Sequence, residues 1–195
     1  AVYLTIPKEE REKTLSEVES ELKTLDPRFL EMPGLAIDRS RQVAISMAHY
    51  AQRAMDTAMS LLEQYDPAKA EEVSVLEKDV DRFEDELGTY LVKLSSRQLS
   101  GKDSETLNTI LHCIGDFERI SDHARNVKEA AQEMYDKKLD FSDKAQEELK
   151  VFERAVHDIL DITMNSFIKG DLNLARQVEP MEEVIDGLSL DVKQR

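Results

Sequence analysis

One cysteine, no tryptophan, six glycines and five prolines are all that 195 residues carry of the usual cross-links, large anchors and chain breakers. Cys113 alone makes no internal disulfide, and no CxxC or Cys/His zinc spacing accompanies it, so a reducing compartment fits. So few turn residues suit long helices and argue against a sheet with frequent reversals. No apolar run approaches the ~18 to 20 residues needed to cross a bilayer. The opening AVYLTIPKEEREK lacks the regions of a signal peptide. Basic residues are scarce: 26 against 41 acidic ones leave a formal charge of -15, which repels both a phosphate backbone and an anionic leaflet. Nucleic acid and direct lipid insertion are therefore poor partners. GxSxG, P-loop and dinucleotide fingerprints are absent, so no catalytic or cofactor-binding residues are assigned and no enzyme is expected.

What is present is helical punctuation. Asp66-Pro67 supplies an N-cap oxygen followed by a residue whose missing N–H costs nothing at the first helical position. Gly170-Asp171 supplies a left-handed stop and a fresh cap. These signals predict an all-α chain with a short helix near 8–23 and long ones near 35–65, 67–99, 103–137, 142–169 and 171–193. Val73, Leu76, Val80, Phe83, Leu87, Tyr90, Leu91 and Leu94 form one apolar stripe, and Leu107, Ile110, Leu111, Ile114 and Phe117 form another. Helices patterned in this way pack lengthwise as an up-down antiparallel bundle.

Sliding the chain against itself by 105 residues exposes an internal repeat. Met47, Ala51, Met55 and Met59 fall on Phe152, Val156, Leu160 and Met164. Asp66, Val73, Glu77, Val80 and Asp81 fall on Asp171, Val178, Glu182, Ile185 and Asp186. The repeat predicts a duplicated three-helix bundle: a linker with a short helix over 1–34, a first unit over 35–138, and a second over 139–195. That second unit holds two of its three helices, and its third, the sixth of the pair of units, would begin near 208. The apolar seam left open needs a cover: further residues, a second copy in a homo-oligomer, or the 8–23 helix through Leu15, Val18 and Leu22.

Carboxylates spaced i, i+4 share a helix face and can reach one hard cation. Glu77/Asp81, with Glu84 beside them, Glu118/Asp122 and Glu182/Asp186 are such pairs. Projected on its helix, Glu118 falls between the directions of Leu107 and Leu111, inside the apolar arc, where a charge needs a metal, a cation or a proton. Arg119, Arg125 and Lys128 leave ion pairing open as the alternative. Oxygen-only donors suit iron, manganese, magnesium or calcium better than a closed zinc site. His49, His112, His123 and His157 form no HxxxH or Glu-x-x-His pattern, which takes most of the support from the di-iron bundle reading and leaves a metal-oxidising bundle a distant fourth.

The run DFERISDHARNV, Asp116 to Val127, resembles the signature of the phosphate-uptake regulator family PhoU, and VLEKDVDRFEDEL, Val75 to Leu87, is similar to the helix before it. The resemblance covers about 36–192 and implies three of the family's four E/D-x-x-x-D metal motifs: Glu77/Asp81, Glu118/Asp122 and Glu182/Asp186. LDPRFLEMPGLAIDRSRQV, Leu25 to Val43, resembles the segment leading into the PhoU-like cytoplasmic tail of sodium-phosphate cotransporters. That implies a regulatory domain on the cytoplasmic side of the membrane, with a membrane transport domain as partner. A free-standing PhoU-type adaptor and a purely structural oligomerisation bundle remain alternatives. Ser121 departs from the family's glycine, Gly187 stands where the first unit has Arg82, and Pro180 removes an N–H just before Glu182.

Overall fold

The computed structural model describes residues 17–193, and among them every regular element is a helix. After a helical stretch at 17–22 and a short 3-10 turn, Pro27–Glu31, come α1 (Pro33–Glu63), α2 (Pro67–Ser95), α3 (Gly101–Lys137), α4 (Asp143–Lys169), the single turn α5 (Leu172–Ala175) and α6 (Val178–Lys193). The caps act as the sequence implies: Asp66 accepts from the Ala68 N–H at 2.8 Å ahead of α2, and Gly170 ends α4 at φ +63. Ser100 and Ser142 cap α3 and α4 in the same manner. The predicted helix over 171–193 is broken between α5 and α6. Pro180 explains this. It has no N–H to give a carbonyl one turn back, and restarting the helix at Val178 places it in a first turn, where that N–H would be unused.

α1, α2 and α3 pack against one another along their lengths. Their seam residues alternate three and four apart, except for one step of seven between Ala124 and Ala131. Ile37, Ser40, Ala44, Met47, Ala51, Ala54, Ala58 and Leu61 line α1; Val73, Leu76, Val80, Phe83, Leu87, Tyr90 and Leu94 line α2; Leu107, Ile110, Ile114, Phe117, Ser121, Ala124 and Ala131 line α3. A seam of this period keeps facing its neighbours when helices lie close to antiparallel, and the small residues of α1 let the backbones approach. It also corrects the projection of Glu118. A straight 3.6-residue helix puts Glu118 in line with Leu107 and Leu111, whereas the 3.5-residue seam passes through Phe117 and Ser121 and leaves both Leu111 and Glu118 half-buried at its edge.

The remaining helices form a lighter layer. α4 leans on α1, and α6 packs on α4. Only Leu160 and Met164 of α4 are buried, while Val151, Leu172, Val184 and Leu190 are exposed. Val18 and Leu22 do not cover this open face. The 17–26 segment lies instead along α2, where Glu19 approaches Arg82 at 4.0 Å and Tyr90 donates to the Asp26 carbonyl at 3.2 Å. Leu15 and the rest of 8–16 lie outside the described residues.

With so little apolar burial, polar links hold α4 to α1. Arg41 donates to the Ile168 carbonyl at 2.8 Å, Gln52 donates to Asp161 at 2.9 Å, and His157 Nδ1 meets Asp56 at 3.0 Å. The hydrogen bond to Asp56 raises the pKa of His157. This link is therefore complete below the ordinary imidazole range and is lost as pH rises through the raised value. Arg41 meets the carbonyl end of α4, where the helix dipole and unpaired oxygens favour a cation. Arg41→Ala should cost about 1 to 2 kcal/mol of α4 docking. Faster amide exchange over 160–170, with α1 to α3 unchanged, would show it; equal exchange throughout would refute the clamp.

Candidate functional site

Where α2 faces α3, the two acidic runs meet. Asp81, Glu84 and Asp85 on α2 and Glu118, Asp122 and Arg125 on α3 line an open groove of about 540 Å³. Helical spacing makes this possible: Asp81 and Asp85 are one turn apart on α2, as are Glu118 and Asp122 on α3. Each row sits on the shoulder of its helix's buried seam, so closing the seam brings the rows together.

Glu77 lies deeper. It is 6% exposed and is ion-paired with the Arg125 guanidinium, whose Nη2 also donates to Asp122 Oδ1 at 2.8 Å. One arginine thus bridges the inner carboxylate of α2 and the outer one of α3. Lys128, a turn further on, donates to Ser74 Oγ at 3.3 Å rather than entering the groove. Ser121, buried in the seam, donates its hydroxyl back to the Glu118 carbonyl at 2.9 Å, so this hydroxyl turns onto its own helix.

The groove carries more negative charge than its arginine balances. Partial burial and the repulsion of Asp122, Asp81 and Glu84 raise the pKa of Glu118. Asp81 is also raised, by burial and then by Glu77 and Asp122, with Arg125 pulling the other way. Crowded like charges that resist ionisation are what a hard cation relieves. The donors have the right chemistry, all oxygen. Their placement does not by itself close a coordination shell: among the described residues, no three His, Cys, Asp or Glu side chains converge as metal ligands.

Of the six residues singled out from the sequence, the structure brings Asp81, Glu118 and Asp122 to one groove and sets Glu77 behind them on Arg125. Glu182 and Asp186 are exposed on α6 and do not line this groove. Asp85 was not among the candidates, although the i, i+4 rule that links Glu77 to Asp81 reaches it one step further along.

The residues that line this acidic seam fall inside residues 44–131, the stretch that matches the family model described as PhoU domain. Residues 44–131 are similar to a PhoU domain. They run from the second turn of the α1 seam through α2 and most of α3. The family that model describes is regulatory and non-catalytic. No curated protein and no solved structure matches the chain. No helix among the described residues is long and apolar enough to cross a membrane.

Proposed function

We propose that this chain is the cytoplasmic regulatory domain of a sodium-dependent phosphate transporter, modulating phosphate uptake according to the cation held in the α2/α3 groove. The observation that carries this reading is that the PhoU match spans the seam where two carboxylate rows face each other. Asp81, Glu118 and Asp122, with Glu84 at hand, would hold a hard divalent ion such as manganese, magnesium, calcium or ferrous iron, while Arg125 keeps its bond to Glu77. Glu182 and Asp186 would form a weaker, exposed second site. A bound cation favours the arrangement in which α2 and α3 approach most closely, and the free-energy difference between arrangements is what an attached transport domain can sense. The resemblance of Leu25 to Val43 to the segment leading into cotransporter tails supports the attachment. In this reading 1–34 is the linker, and 35–138 and 139–195 are the two PhoU-like units, the second completed by a further helix or by another copy.

Elemental analysis of protein purified without chelator tests the site. The parent should retain a divalent metal, and Glu118→Ala/Asp122→Ala should retain less than a tenth as much. Equal metal content in the two would favour the structural reading, for which the Arg125 bridge between Glu77 and Asp122 is the specific support. The coding sequence upstream of Ala1 tests the attachment, since a fused transporter requires several apolar runs of ~20 residues there. Their absence would favour a free-standing adaptor.

A further inference from the structure

α4 is held on α1 unevenly along its length. Its two buried residues, Leu160 and Met164, and the Ile168 carbonyl that Arg41 clamps all belong to its carboxy-terminal half. The amino-terminal half meets α1 across a groove of about 640 Å³ whose apolar wall is Met55, Met59 and Val156. Two ionisable side chains one turn apart on α4, Glu153 and His157, line that groove from one side, and Asp56 and Glu63 line it from α1. His157 Nδ1 meets Asp56 at 3.0 Å, and Asp158 and Asp161 of its own helix add negative charge around the ring. Glu153 is half-buried, and its Oε1 is enclosed without a hydrogen-bond partner among the described residues. The charges that act on it are Glu63 of α1 and Lys150 of α4, themselves loosely paired at 4.0 Å, while Arg154 lines the same groove.

We propose that the amino-terminal half of α4 is a proton-gated flap: with Glu153 and His157 protonated it lies down on α1, and with both deprotonated it lifts from Met55 and Met59 while the half around Leu160 and Met164 stays docked. Both sites act in the same sense. A neutral carboxyl can be enclosed beside Glu63 at modest cost, whereas a carboxylate there has one oxygen without water or a bonded partner and is repelled by Glu63, with Lys150 as the offset. An imidazolium facing Asp56 makes an ion pair, and a neutral ring keeps at most a hydrogen bond. Burial, and then Glu63, raises the pKa of Glu153, so its contribution to docking is fully present below the free value of 4.5 and is lost as pH rises through the raised one. The bond to Asp56 raises that of His157, whose contribution is full below 6.5 and is lost in turn as pH passes its own raised value. Docking of this half therefore weakens in two steps as the solution turns alkaline.

Hydrogen exchange of the intact chain, corrected for intrinsic rates, tests this. Amides of 150–157 should be about two- to fivefold more protected at pH 5.5 than at pH 8.5, the range for a partly exposed ion pair, since the His157 and Asp56 side chains are 55% and 40% exposed. Those of 162–168 and of the α1 to α3 seam should change little. His157→Gln, which cannot become a cation, should remove most of the difference, and Glu153→Gln, which cannot ionise, should raise protection at pH 8.5. Equal protection of the wild-type segment at the two pH values, or an unchanged pH dependence in His157→Gln, would overturn the proposal. An imidazole NMR titration of the wild type settles it without any variant: a midpoint above 6.5 for His157 supports the flap, and one at or below 6.5 removes it.

Discussion

Phe83→Ala should lower the unfolding free energy by about 3 to 5 kcal/mol, the range for deleting a fully buried aromatic side chain. Phe83 is completely buried at the middle of the α2 seam and packs edge-on against Tyr50, so its removal leaves a void between α1 and α2 and forfeits a ring contact. For a domain with ~5 to 15 kcal/mol in hand, that is a large share of the total. The chain has no tryptophan, so far-UV circular dichroism in urea is the direct readout. The midpoint should fall sharply with the slope preserved. A loss under ~1 kcal/mol would mean that α1 and α2 do not meet as described.

The second large effect should come from Arg125→Met. It leaves Glu77, 6% exposed, without the cation bonded to it. Breaking a buried pair from one side costs ~3 to 5 kcal/mol, but the Arg125 side chain is 41% exposed and water screens part of the interaction, so about 2 kcal/mol is the reasonable figure. The double variant Glu77→Gln/Arg125→Met should recover most of this, because an amide in the same shape needs no counter-charge. If the double variant is no better than the single one, Glu77 does not depend on Arg125. The same variant separates the two readings of the groove. Where carboxylates serve a metal, millimolar manganese should raise the melting temperature of Arg125→Met more than that of the parent, since a competing positive charge has gone. Where they serve only ion pairs, manganese should shift neither.

Several features of this protein needed no tertiary information. The caps at Asp66 and Gly170 follow from local hydrogen bonding and backbone freedom, and the α2 stripe read from Val73 to Leu94 is buried along its whole length. The facing carboxylate pairs were legible for a related reason: i, i+4 spacing is a property of one helix and needs no knowledge of its neighbour. Asp79 was legible in principle. It lies three residues after Leu76 and four before Phe83, inside the stripe, but an aspartate among so many surface acids attracts no notice until packing buries it.

Other questions were settled only when the helices came together. Glu118 moved from the centre of the apolar arc to its edge because a seam shared by three helices follows a 3.5-residue period that a single straight helix does not show. Arg125 became the bridge between Glu77 and Asp122, a contact spanning 48 residues of chain. The stretch through Val18 and Leu22 settled on α2 instead of on the open face of α4. Sequence alone thus set the helices, their ends and the rows of charge, since each depends on neighbours within a turn or two. Which charges meet, which lose their water and which acquire a counter-ion depend on distances between helices, and only the packed bundle sets those.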